Sequence, residues 1–444
     1  MNEKQIRLVR FILVGIILIS SLVLVLGIVT NNFSAIFQQE EADAVMFYHY
    51  WISSGEQAAV NALINVFLDK YPEIAVLPTS IISRSSAGGG VVIFGIVKPL
   101  VLSGNAPDAF VMHAGYEART YVNANLLEPV DDIWETAGLE KVTPKVVQVM
   151  CKFDGNFYSI PINIHRTNVV WYNKILLDRN NIKPAELNDW NSFFDACDKL
   201  KSSGIEYPIQ MAAAWTAQHA FDQIVAGEGI EFYENWVNGR VTSEDDPLLI
   251  DALTTFKKYL SYVNPDHADI EWNVATDRII DGEGAFNIMG DWANGEFTSA
   301  GMIYDKDYGT FVVPETRDMY GLVIDTFQRP KSVKHPANSE KWLEVVASND
   351  GQDAFNPLKG SISARVDTDV SKYGAYQKTA IFDFVTVKYM FPAISNGAPK
   401  DFEVREQQII AEFAEDLDVK KAAKTFADYH KENSGKYTIE WELN

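Results

Sequence analysis

From residue 44 onward, short apolar runs of β-forming residues alternate with segments whose apolar positions recur at helical spacing. Val45–Tyr50, Ala109–His113 and Asn168–Tyr172 read as strands, and Gly321–Phe327 and Ser361–Ala364 as extended segments. A helix opens at Glu56, with Val60, Leu63, Ile64, Phe67, Leu68 and Tyr71 as its apolar positions. Phe193–Lys201 and Asp251–Tyr262 carry the same spacing. This alternation predicts an α/β architecture. At about 150 residues per domain, a chain of 444 residues has room for two or three domains. Yet no linker, repeat or low-complexity segment divides it. One large domain and two lobes exchanging strands both fit that pattern. The run 88-GGGVVIFGIVK-98 lacks the spacing that cradles phosphate and reads as a mobile or turn segment.

The N-terminus follows other rules. Lys4, Arg7 and Arg10 precede a 19-residue uncharged run, Phe11–Val29. That length is near the ~20 residues that cross a bilayer as a helix. Basic residues before it hold the N-terminus inside and send the rest outside. The small-residue triplet Ala42-Asp43-Ala44 lies too far away for a cleavage site of the usual kind, so an uncleaved anchor over residues 1–30 is preferred to a signal peptide. Residues 31–43 read as a polar tether.

Sixty acidic residues against 38 basic ones leave a formal net charge of -22. Such a chain repels phosphate backbones and anionic lipid headgroups, which argues against a nucleic-acid partner. The two cysteines, Cys151 and Cys197, support neither a disulfide framework nor a metal site. Seven scattered histidines show no metal-ligand spacing, and no cofactor motif is present. No Gly-x-Ser-x-Gly, His-Glu-x-x-His or Gly-Lys-Ser/Thr motif points to an enzyme. A glycosidase would need two carboxylates across one bond, and no local motif selects such a pair.

The stretch 46-MFYHYWISSGEQ-57 delivers aromatic residues from a strand to the start of a helix. Ser53-x-x-Glu56 fits a capping box, a purely structural role. A helix start also offers backbone N–H groups to a polar ligand, and open α/β sheets bind ligands beyond their strand ends. Aromatic faces beside charged groups suit a sugar. The C–H face of the ring stacks on Trp or Tyr, and the hydroxyls take charge-assisted hydrogen bonds.

At this point the chain resembles a known family. The segments 49-HYWISSGE-56, 103-SGNAPDAFVMHAG-115, 154-DGNFYSIPINIHRTNVVWYNK-174, 282-GEGAFNIMGDWANG-295, 322-LVIDTF-327 and 351-GQDAFNPLKGSISAR-365 are similar, in order and spacing, to those of the extracellular solute-binding proteins of ABC sugar importers. The likeness is greatest to the glucose-binding branch. It implies two α/β lobes of the periplasmic-binding-protein fold, joined by crossover strands that serve as a hinge. By the resemblance the crossovers lie near Ile160–Ile164, Tyr320 and Leu358–Ser361. Residues 44–159 and 320–358 would form the N-terminal lobe, and 160–319 and 359–444 the C-terminal one. The implied role is capture of a sugar by a monomer outside the cytoplasm and its delivery to a membrane permease. A surface-anchored sensor without transport is the alternative.

The resemblance also implies site residues. Trp51 and Glu56 match the first strand–helix turn, Lys98 a ligand-reaching lysine and His113 a site histidine. Trp272 and Trp292 match stacking tryptophans of the other lobe, and Asp325 and Lys359 hydroxyl-binding charges. Read alone, Lys98 is an ordinary surface lysine, Trp272 a core residue on a helix and Asp291 a turn cap. His49 is assigned to the core. Three positions depart from the glucose-binding pattern. Tyr50 replaces a Trp, Val111 replaces a Gln, and Asn396-Gly397 replaces His-Gly. Tyr50 and Asn396 are retained as candidate ligand contacts. The expected sugar is glucose or a related pyranose. Trp51 is expected to cover its ring, so that Trp51→Ala would remove most binding with little change in folding.

Overall fold

The computed structural model describes residues 43–81 and 88–434. The expected N-terminal anchor and almost all of the tether lie outside the described residues. Among the described residues no helix is long and apolar enough to cross a membrane.

Strand β1 (Ala44–His49) buries Val45, Phe47 and His49 and leaves Met46 and Tyr48 half-buried, the period-two signature of a strand. Helix α1 (Ser54–Lys70) begins two residues before Glu56, because Ser53 caps it and Glu56 completes the capping box. Its buried face is Ala59, Val60, Leu63 and Phe67. Strand β2 (Ala75–Ser80) pairs parallel to β1, with Val45 opposite Val76. The glycine-led segment from residue 88 is a helix, α2 (Gly88–Leu102), and not the turn expected from sequence. Ile93, Val97 and Val101 recur every four residues and pack with Phe110 and Met112 of β3 (Ala109–His113), and that burial outweighs the poor helix propensity of glycine.

The chain then leaves this sheet. Strand β4 (Ser159–Pro161) is followed after Ile162 by β5 (Asn163–Arg166), which belongs to a second sheet, and then by β6 (Val169–Asn173). Helices α3 (Ala214–Gly227) and α4 (Trp272–Ile280), strand β7 (Phe286–Ile288), helix α5 (Ala293–Ser299) and strand β8 (Tyr308–Val312) build the other body. Strand β9 (Met319–Val323) returns, and β10 (Asp325–Gln328) rejoins the first sheet. This second crossing sits at Ile324, four residues beyond the expected Tyr320. Helix α6 (Asn349–Lys359) packs on α1, and Gly360 leads to β11 (Ile362–Ser363) beside β5. Strand β12 (Tyr389–Pro392), the short helix α7 (Ile394–Gly397) and helix α8 (Lys400–Asp416) follow.

The first sheet runs β2-β1-β3-β10-β4, a second runs β11-β5-β9-β12, and a third β8-β6-β7. Two antiparallel registers position the site. Asp325 pairs with His113 in the first sheet, and Val323 pairs with His165 in the second. The crossing at Ile324 therefore brings the ends of both sheets together. The two cysteines are free and buried in separate apolar clusters.

Candidate ligand-binding cleft

Where the sheets meet lies a cavity of about 1110 Å³, its open mouth included. The end of β1 supplies Tyr50 and Trp51, β3 supplies His113, β10 Asp325, β5 His165 and the end of α6 Lys359. Facing them are Trp215, His219 and Asp222 of α3, Trp272 of α4 and Trp292 at the start of α5.

Asp325 is the hub. Tyr50 donates its hydroxyl to Oδ1 at 2.6 Å, and Asn163 donates to Oδ2 at 2.9 Å. His165 Nε2 lies 3.2 Å from Oδ2 and His113 Nε2 3.7 Å from Oδ1. Burial alone would raise the acid's pKa. The hydrogen bond and charge of His165, with the charges of Lys359 and His113, outweigh it and hold Asp325 far below the usual carboxylate range. The other His165 nitrogen, Nδ1, bonds Asp291, which also accepts from the Arg166 N–H at 2.9 Å. Burial opposes charge on His165, but the Asp291 carboxylate overrides it and raises the histidine's pKa. Asp291 thus serves His165 and is not a turn cap.

A second chain of charges leads away from His113. Its Nδ1 lies 2.8 Å from Glu117, whose other oxygen is 3.8 Å from Lys400, itself 2.9 Å from Glu403. Burial would keep Glu117 protonated; Lys400 and His113 lower its pKa instead.

Glu56 does two jobs with its two oxygens. Oε2 accepts from the backbone N–H of Ile52 and Ser53, closing the capping box. Oε1 receives the Lys359 ammonium at 2.9 Å. The structural reading of Glu56 and its place on the cleft wall coexist. Next to it, helix α1 meets α5: Glu296 accepts from Ser54 Oγ at 2.7 Å and from the Gly55 N–H at 3.0 Å, a carboxylate at a helix N-terminus.

The aromatic wall gathers around Trp292. His165 meets its ring edge-on at 5.2 Å, and His219 and Trp215 lie 5.9 and 6.2 Å away. The Lys359 ammonium lies 5.9 Å from the same ring. Trp292 and Trp215 are half-buried, and so present ring surface to the cavity. Trp51 is different. It is fully buried, tilted against Phe355 at 4.9 Å and edge-on to Phe327 at 5.9 Å, and is part of the core behind the cleft wall as well as of the wall.

Charged and aromatic groups converging between two α/β bodies is an arrangement for holding a polar solute. The sequence profile of the bacterial extracellular solute-binding proteins matches residues 85–353. The chain belongs to that family. It is a binding protein and not an enzyme. An uncharacterized ABC transporter extracellular-binding protein of Pyrococcus horikoshii is 37% identical over 411 residues, covering 91% of each chain. A probable sugar-binding periplasmic protein of Brucella suis is 30% identical over 347 residues, covering 78% of this chain and 80% of that one. Among solved structures, the solute receptor AcbH, whose title gives an exclusive preference for β-D-galactopyranose, superposes with a TM-score of 0.77 at 18% identity. That match covers 88% of this chain and 99% of the receptor, and shows that this solute-binding protein has the same two-lobed fold.

Of the candidate residues, Tyr50, Trp51, Glu56, His113, Trp272, Trp292, Asp325 and Lys359 line the cleft of this solute-binding protein. Two do not. Lys98 is exposed on α2, outside the cavity lining. Asn396 is fully buried and donates to the Ala114 carbonyl at 3.0 Å, tying α7 to the end of β3, while its neighbours Ala393, Ile394 and Ser395 face the cavity. Val111 is likewise buried in β3 opposite Phe327 and reaches no ligand space. His49 is in the core, 5.6 Å from Phe47. Sequence reasoning missed His165, Trp215, His219, Asp222 and Lys400. One signal was available: in 214-AWTAQHAFDQ-223, Trp215, His219 and Asp222 recur at helical spacing.

Proposed function

We propose that this chain is the extracytoplasmic substrate-binding subunit of an ABC sugar importer, taking a monosaccharide, glucose or a related pyranose, between its lobes and delivering it to a membrane permease. One observation carries the reading. Half-buried Trp292 and Trp215 offer ring faces, while Asp325 and the Glu56–Lys359 ion pair offer hydrogen-bonding groups around the same space. A pyranose presents both complementary surfaces. The probable sugar-binding relative in Brucella suis agrees with it. The lobes follow the division expected from the sequence, near 44–159 with 320–358 and 160–319 with 359–444, with the boundaries at the crossings moved to Ile162 and Ile324, and ligand capture proceeds by hinge closure about them. The protein acts as a monomer on the outer side of the membrane. Residues 1–30 tether it there.

The test is titration of the chain from Ala44 with a saccharide panel, read by Trp fluorescence and melting temperature. A ligand that binds only the folded protein raises the melting midpoint by mass action. Saturable binding of one pyranose supports the proposal, and silence across mono-, di- and oligosaccharides defeats it. Membrane fractionation of the full chain tests the tether.

A further inference from the structure

Helix α3 brings two polar side chains to the cleft wall, each with a buried atom that no described residue satisfies. His219 and Asp222 are both buried and both line the cavity. His219 Nε2 and Asp222 Oδ1 have no hydrogen-bond partner among the described residues. Buried polar atoms are rarely left so, since each forfeits its hydrogen bonds to water without replacement. Their placement on the cleft wall assigns the missing partner to the cavity.

The chemistry of the partner follows from the two atoms. Burial lowers the His219 pKa to about 4, and its ring bonds the Thr167 backbone. A neutral imidazole whose other nitrogen holds the backbone carbonyl offers Nε2 as a bare acceptor. Asp222 shares a side-chain hydrogen bond with Glu406 and lies near Glu403 on α8; burial, foremost, with the charge of both and that bond, raises its pKa, and the proton held between the two acids leaves Oδ1 as the carbonyl acceptor. Glu406 is itself committed, accepting from Gln218 at 2.5 Å and from Trp236 at 2.6 Å. Two acceptors one helical turn apart, next to the Trp292 ring, call for a neutral donor-bearing ligand face.

We propose that His219 and Asp222 are specificity-determining residues of the cleft, their Nε2 and Oδ1 accepting hydrogen bonds from hydroxyl groups of a sugar ring stacked on Trp292. This rests on the sugar reading above. It places a recognition element on α3 that the resembled glucose-site pattern does not contain, and it moves discrimination among pyranoses away from Val111 and Asn396.

Isothermal titration of the full chain tests it, with glucose, galactose, mannose, xylose, common disaccharides and short oligosaccharides, then with the monodeoxy analogues of whichever sugar binds. For the parent sugar, Asp222→Ala and His219→Phe each lower affinity about ten-fold, the loss expected for one buried hydrogen bond. For the analogue lacking the hydroxyl that the altered residue reads, variant and wild type agree within about two-fold. Should Asp222→Ala fail to fold, His219→Phe, which keeps a ring against Trp292, carries the comparison. Equal losses on the parent and on every deoxy analogue, or no loss at all, would overturn the assignment while leaving sugar binding in place. A wild-type chain that binds no saccharide fails in a different way and removes both readings.

Discussion

The Lys359 ammonium lies 2.9 Å from Glu56 Oε1, with both side chains buried at the edge of the cleft. The pair joins the last residue of α6 to the first turn of α1. Removing one member of a buried pair strands the other charge, at a cost of roughly 3–5 kcal/mol. Lys359→Met should therefore lower the unfolding free energy by about that amount in urea titrations. Lys359→Met combined with Glu56→Gln should recover most of it, since no bare charge remains.

Trp51 is buried in the core, so its replacement cannot leave the fold untouched. Large-to-small changes at such sites cost about 3–5 kcal/mol. Trp51→Ala should lower the ligand-free melting temperature strongly, contrary to what its position in the sequence suggests. Trp292→Ala, at a half-buried site, should cost less stability and remove more binding. Melting scans beside titrations of both variants separate the two cases.

Gly290 lies under Trp292. A Cβ at Gly290 would stand 2.2 Å from the Trp292 ring, which would have to move. Gly290→Ala should thus weaken ligand binding about as much as Trp292→Ala does, with the aromatic side chain still present. Unchanged affinity would mean that the position of Trp292 is unimportant to the site.

The buried carboxyl groups pull stability in opposite directions with pH. Burial, foremost, pushes Glu406 up to about 7, and raises Asp222 beside it. The unfolded chain loses the Glu406 proton near pH 4.5, so what that acid contributes is full below that pH and is lost as pH rises through about 7, and Asp222 acts in the same direction. Asp325 is the reverse: its pKa is lowered, so its contribution is present above pH 4 and is lost only as pH falls below that. Denaturant midpoints of Glu406→Gln should fall less between pH 5 and pH 8 than those of the wild type. Those of Asp325→Asn should fall less below pH 4.

Local pattern alone went far with this chain. Short apolar runs marked β1 and β3, helical spacing marked α1, and Ser53 with Glu56 announced the helix cap, because these depend on neighbours within a few residues. The stacking and charged positions that resemble a sugar site could also be named, since each stands in a short motif. Other features needed the folded chain. The run at 88–98 is helical because β3 offers an apolar surface, which no local rule contains. Asp325 is ionised because residues 113, 165 and 359 converge on it through strand pairing and the crossing at Ile324. Lys98 and Asn396 match motifs, yet one faces solvent and the other a backbone carbonyl. Which side of a helix meets the cleft is set by packing between lobes, and that is also why the helical spacing of Trp215, His219 and Asp222 on α3 could not by itself place them at the cleft.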